Sequence, residues 1–378
     1  MDSGFASALD DLLPVVAQYR DQAETERKPA NELCETFRSS ELMGMSVASA
    51  YGGLGTSLPD MLRGLETVAY SDAAASWLLW NISLVGLYAR YMPAELRATL
   101  FADAKPVLAH STIPAGTIDV QGDEVIVNGR WPLVSGCPAA DWVILTGNKT
   151  IGGEACTDDA GQPVSCLVAL PAEKIEVLDT WHSSGLRGTG SHDVVVTAQT
   201  APESHTFSMT NPARSHPTDF LPVFGSVSAL FASQLLGLGK TVIEHSQARM
   251  SDTPGLNSRP ECQIAIARHY ASLEAASTLL YVKAEAVWAH AENKTESSKD
   301  AIADLYASTF VVIDAVKQCV DELHALGGTS ALYTSSPIEK PARDLHAMLR
   351  HIVAQPIMQA DVGRYQLGLE PEWPLFFV

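Results

Sequence analysis

Apolar positions in the first hundred residues recur at helical spacing. Phe5, Leu9, Leu12, Leu13 and Val16 return every three to four positions, predicting an amphipathic helix that kinks or restarts at Pro14. Residues 50–55 form a glycine-rich loop. Ser57-Leu58-Pro59-Asp60 then reads as a helix start, with a capping hydroxyl and proline in the first turn. Residues 73–91 are apolar on every side, as in a buried helix or helix pair. Beyond 105 the period changes. Short β-rich runs at 124–128, 142–146, 165–169 and 193–197 alternate with polar or Gly/Pro-rich breaks such as 147–162, predicting a β-barrel or sandwich. After Pro217 long helical patterns return at 220–250, 262–290, 299–326 and 337–354, predicting an antiparallel four-helix bundle. The expected class is α+β: a helical segment 1–105, a β segment 106–215 and a helical bundle 216–378.

Composition narrows the function classes. Of 378 residues, 46% are hydrophobic and 18% charged, as in globular enzymes, and the formal charge of −19 argues against nucleic-acid binding and docking on anionic membrane. No run of 18 apolar residues occurs. The first eleven residues carry Asp2, Asp10 and Asp11, not a basic signal-peptide start. Cysteines 34, 137, 156, 166, 262 and 319 lack metal-ligand spacing, so free thiols in the cytoplasm are expected.

Several motifs fail on inspection. Gly237-Leu238-Gly239-Lys240-Thr241 looks like the tail of a phosphate-binding loop, but Gln234 stands where glycine is required and the context is helical. Gly52-Gly53-Leu54-Gly55 lacks dinucleotide-binding spacing, and Asp158–Gln162 reads as a surface turn. No His-Glu-x-x-His or Gly-x-Ser-x-Gly occurs.

Three stretches remain. One is Asn128-Gly129-Arg130-Trp131-Pro132-Leu133-Val134-Ser135-Gly136. The second runs from Trp181 to Asp193 and includes Gly185, Arg187, Thr189 and Ser191, so its backbone can approach a ligand. The third, 326–351, couples Gly327-Gly328 to a helix carrying Arg343-Asp344, His346 and His351. On a continuous helix His346 and His351 lie about 140° apart and face different surroundings. His351 then shares the face of Asp344 and is oriented by Ala347, while His346 shares a stripe with Arg350. His182 and His192 are expected at the surface. Trp77, Leu78, Trp80 and Asn81 are candidates for a pocket wall, although by periodicity alone they read as core.

Together these stretches resemble the flavin-dependent monooxygenases of the acyl-CoA dehydrogenase fold, the oxygenase components of two-component systems. The resemblance covers most of the chain. It implies a homotetramer, reduced flavin (FAD or FMN) delivered by a separate reductase, and O2 reacting through a C4a-hydroperoxyflavin to oxygenate a small aromatic or heteroaromatic substrate. By the same resemblance Trp131, Val134, Ser135, Trp181, Arg187 and Ser191 contact the flavin, with Ser135 beside N5 and C4a. Gly327 and Gly328 serve a neighbouring subunit's flavin, and His351 acts on the substrate hydroxyl. Its ordinary pKa suits either a base or an acid. Trp77, Trp80 and Asn81 are assigned to the substrate. The alternatives are an acyl-CoA dehydrogenase or flavin oxidase, and a non-catalytic assembly protein of the same fold. Against the dehydrogenase, Ile352 stands where many of them carry the glutamate base, residues 225–240 hold no carboxylate, and Arg249-Met250-Ser251-Asp252 departs from their flavin-binding segment.

Overall fold

The computed structural model describes residues 3–101 and 106–378. Five helices come first: α1 (Ser3–Glu26), α2 (Asn31–Ser39), α3 (Leu58–Ser71), α4 (Ala73–Tyr88) and α5 (Ala94–Phe101). Eight strands follow: β1 (Leu108–Gln121), β2 (Glu124–Val134), β3 (Trp142–Ile151), β4 (Glu154–Ala155), β5 (Ser165–Pro171), β6 (Glu176–Leu178), β7 (His192–Pro202) and β8 (Thr206–Phe207). The last five helices are α6 (Val223–Asp252), α7 (Pro260–Glu292), α8 (Lys299–Leu326), α9 (Glu339–Met348) and α10 (Pro356–Gln366). Pro14 sits inside α1 without ending it. Ser57 caps α3 by accepting from the Asp60 N–H at 3.2 Å.

These elements form two compact units that do not follow chain order. The first comprises 3–56, 81–182 and 187–219; the second comprises 57–80, 183–186 and 220–378.

The first unit is organised by one sheet of order β6-β7-β2-β1-β3-β5-β8, with β4 beside β3. Pairing is antiparallel except between β1 and β3. Its core includes Ile118, Val125, Val127, Trp131, Val143 and Leu145. Trp131 needs a gap in the neighbouring strands. Gly116 and Gly129 face each other across β1 and β2, and a Cβ on Gly116 would lie 2.4 Å from the indole. The ring donates from Nε1 to the Thr146 carbonyl at 2.6 Å, so its polar edge is satisfied in the core.

In the second unit α6, α7 and α8 pack together, and α3 packs on α6 and α7. Glu66 of α3 ties the joint, accepting from Lys240 at 2.6 Å and from the Tyr281 hydroxyl at 2.7 Å. Gly237 and Gly239 lie within α6, so no phosphate loop exists there. By length and apolar composition α6 is a helix that could cross a membrane, yet 89% of its most apolar window is buried inside the protein. It is a core helix.

The pattern over 337–354 forms no single helix. α9 ends at Met348 and a short 3-10 turn, Ile352–Ala354, follows. Two features stop α9. The Gln355 amide donates to the Leu349 carbonyl at 2.9 Å, and Pro356 holds Gln355 extended.

Candidate active site

Some of the residues singled out from sequence gather into two clusters, Ser135 with Ser191 in the first unit and His351 with Trp77 and Trp80 in the second.

In the first unit β2 ends irregularly. Its register with β7 slips between Trp131 and Val134, Leu133 adopts a left-handed backbone, and Gly136 follows at φ 80°. This bulge turns Ser135 inward. Its Oγ lies 2.7 Å from Ser191 Oγ, which lies 2.6 Å from Thr189 Oγ1, and all three are buried. Each hydroxyl can donate or accept, so the Ser135–Ser191–Thr189 bonds can run in either direction.

The loop bearing Trp181 is clamped from two sides. His192 Nδ1 accepts the backbone N–H groups of Thr180 and Trp181, both at 3.1 Å. That fixes its tautomer, with the proton on Nε2. From the end of α1, Arg27 grips Asp179 at 2.8 and 3.2 Å and donates to the Trp181 carbonyl at 3.2 Å. His192 is therefore buried and structural, not the surface residue expected; His182 is exposed. Arg27 carries no sequence signal for this role, since 152 residues separate it from Asp179 and no motif marks it.

Other assignments shift. Trp131 and Val134 are wholly buried and pack within the sheet, so neither presents a surface to a flavin. Arg187 donates from Nε to the Glu24 carbonyl at 3.1 Å, fastening its loop to α1. Ser135, Ser191 and Trp181 keep chemistry a flavin can use: buried hydroxyl donors, and a half-buried aromatic plane on a fixed backbone. They fit such a group.

In the second unit an imidazole sits among aromatic rings. His351 lies 5.5 Å from Trp77, 5.0 Å from Trp80 and 5.9 Å from Phe231, centroid to centroid. The two indoles meet it edge-on, and Phe231 stacks nearly parallel. Trp80 is anchored by donation from Nε1 to the Val227 carbonyl of α6 at 3.1 Å. Asn81 is buried in α4.

His351 does not stand on α9 beside Asp344, as a continuous helix required. It caps the following 3-10 turn, and its Nδ1 accepts the Val353 N–H at 3.3 Å. Its proton is therefore on Nε2. Burial pushes its pKa down to about 4, with no charge nearby to offset it. At neutral pH His351 is an uncharged hydrogen-bond donor, which revises the expectation of a base near its ordinary pKa. His346 is exposed and approaches Asp321 at 3.4 Å.

This burial predicts a pH effect. The folded pKa of about 4 lies below the ordinary 6.5, so between those values the unfolded chain binds a proton that the folded chain refuses. The stability term is intact above pH 6.5 and is lost as pH falls toward 4. Urea unfolding at pH 7.5 and 5.0 should show the wild type losing about 2 kcal/mol more than His351→Phe. Equal losses would contradict an imidazole held neutral by its apolar surroundings.

The second unit also holds an ion triad between α9 and the residue preceding α4. Lys340 Nζ contacts Asp72 and Asp344, each at 2.7 Å, and both carboxylates are almost fully buried. Burial alone disfavours the Lys340 charge, but Asp344 and then Asp72 more than offset it, and its pKa is raised. Asp72 also accepts the Ala75 N–H at the start of α4, and Asp344 the Leu186 N–H at 2.6 Å. Gly185 is needed here because α9 passes close by; a Cβ would lie 2.2 Å from the Arg343 carbonyl oxygen. Gly328 has φ 58° and open space around it, with Leu332 and Tyr333 exposed nearby.

Residues 230–356 match the family model for the acyl-CoA dehydrogenase C-terminal domain. Indole-3-acetate monooxygenase of Acinetobacter baumannii is 23% identical over 350 residues, covering 90% of this chain and 88% of the relative. The oxygenase component of p-hydroxyphenylacetate 3-hydroxylase from the same species is 22% identical, covering 96% and 89%. Among solved structures, XiaF from Streptomyces sp. in complex with FADH2 and glycerol superposes with a TM-score of 0.88 at 23% identity, covering 98% of this chain and 97% of that one. The chain has the acyl-CoA dehydrogenase fold, as its motifs implied. Within that fold it resembles flavin-dependent monooxygenases along nearly its whole length.

Proposed function

We propose that this protein is the oxygenase component of a two-component flavin monooxygenase. It takes reduced flavin from a separate reductase, uses O2, and oxygenates a small aromatic or heteroaromatic substrate. One observation carries the reading: a neutral, proton-bearing imidazole enclosed by three aromatic rings, in a chain whose relatives are aromatic-ring oxygenases. Flat apolar walls suit an arene, and a single donor suits its oxygen substituent.

The bound flavin supplies oxygen activation. Ser135 and Ser191 are assigned to its polar edge as hydroxyl donors, and Trp181 to its face. His351 holds its proton at Nε2 and donates it in a hydrogen bond to a substrate oxygen, stabilising negative charge there. Trp77 and Trp80 orient the ring and, with Phe231, exclude water. The dehydrogenase alternative is not favoured: Ile352, where the base would stand, is exposed and apolar, and Asp72 and Asp344 are held by Lys340.

The deciding experiment supplies chemically reduced FAD, then FMN, with O2 and a panel of phenols and indoles. Oxygenated product formed only with reduced flavin supports the assignment. Bleaching of oxidised flavin by acyl-CoA thioesters, without arene oxygenation, overturns it.

We place the enzyme in the cytoplasm, where its six free cysteines fit a reducing compartment. Self-association belongs to the proposal. Ile264, Ala267, Ala271, Ala275, Thr278 and Val282 form an exposed stripe of small or apolar residues along α7. Light scattering should give four times the chain mass; a monomer would contradict the homotetramer and the role of Gly327-Gly328.

A further inference from the structure

We infer that Gln234 is a specificity residue whose side-chain carbonyl accepts a hydrogen bond from an N–H or O–H carried by the aromatic substrate. The class admitted is then arenes bearing a donor, such as indoles and phenols, in preference to donor-free rings of the same shape. This inference rests on the aromatic-oxygenation reading and sharpens it.

Gln234 lies in α6 and is fully buried. Its Nε2 reaches the Leu230 carbonyl at a long 3.4 Å, while its Oε1 has no hydrogen-bond partner. Exchanging the two atoms would set one carbonyl against another, so the unpartnered atom is the oxygen. A buried acceptor without a donor costs stability and calls for an explanation, a bound ligand among them. Ser226 and Ser246 on the same helix also hold buried unpartnered oxygens. A hydroxyl, however, can rotate to donate to a carbonyl one turn back, and an amide oxygen cannot.

Position supports the assignment. Residues 227, 231 and 234 are spaced four and three apart, on one face of α6. On that face the Val227 carbonyl receives Trp80 Nε1, and the Phe231 ring stacks on His351. Gln234 is the next turn of the same stripe. His351 brings a donor and Gln234 an acceptor, a pair suited to a group that both gives and takes a hydrogen bond.

The test is calorimetric titration of the FAD-loaded protein with indole and with benzofuran, which has the same outline but no N–H. Wild type should prefer indole by about tenfold or more. Gln234→Met, of equal length and without polar atoms, should lose that preference while melting no lower than wild type. A wild type without preference, or a methionine variant that keeps it, overturns the inference. So does a methionine variant that loses the preference only with a lowered melting temperature. If the methionine variant does not fold, Gln234→Asn, which withdraws the carbonyl by one methylene, gives the same comparison. Failure of the oxygenase reading shows separately, as no oxygen-dependent flavin transient when arene is absent.

Discussion

Replacing Lys340 with methionine lowers the unfolding free energy by about 3–5 kcal/mol. The substitution preserves much of the side chain's apolar volume and removes the cation, leaving two almost fully buried carboxylates facing each other. Neither can turn to water without giving up a backbone donor, since Asp72 holds the start of α4 and Asp344 the Leu186 N–H. The double variant Lys340→Met/Asp344→Asn should recover part of the loss, because the amide oxygen still accepts from Leu186 and one charge is gone. Urea unfolding monitored by tryptophan fluorescence reads both. A Lys340→Met cost under about 1 kcal/mol would mean that solvent reaches the triad. Activity should fall with stability, because α4 carries Trp77 and Trp80 and α9 leads into His351.

His351→Phe should lower kcat by about 10²–10⁴-fold, with KM changed far less. Phenylalanine keeps a flat ring among Trp77, Trp80 and Phe231 and removes the Nε2–H donor together with the Nδ1 cap on the Val353 N–H. His351→Asn, which can keep a cap but not the ring donor, separates the two losses. p-Hydroxyphenylacetate and indole-3-acetate, the substrates named for two relatives, are the first to assay. Because the imidazole is neutral and its Nδ1 is engaged by Val353, wild-type kcat should not fall through pH 6.5 on account of this group. A rate rising with a pKa near 6.5 that vanishes in the variant would restore the general-base role.

Helical periodicity was legible wherever one face of a helix met a core, as along α1 and α8. The longest strand was not. β1 contains Pro114 and Gly116, which interrupt any alternation, yet it pairs on both edges because its register shifts between Ser111 and Gly116. The glycines and hydroxyls around Ser135 and Ser191 could be read as a site because their residue types cluster along the chain. Trp131 misled for the same reason: a motif gives the neighbourhood of a side chain but not which face of the strand it takes. Position after Arg343-Asp344 singles out His351, but a helical wheel does not give its surroundings, the rings of Trp77, Trp80 and Phe231. The end of α9 depends on the Gln355 amide and Pro356, beyond the reach of a helical wheel drawn through Ala354. Arg27, Lys340 and Gln234 carry no local signal, since each gains its role from partners or burial set by the fold.

Stopped-flow absorbance, mixing the protein with reduced FAD against oxygenated buffer in the absence of substrate, decides whether this chain holds an oxygenated flavin. An oxygenase component should give a transient distinct from both reduced and oxidised flavin, long-lived in wild type and shortened in Ser135→Ala. Direct return to oxidised flavin at the same rate in both proteins would contradict the oxygenase reading.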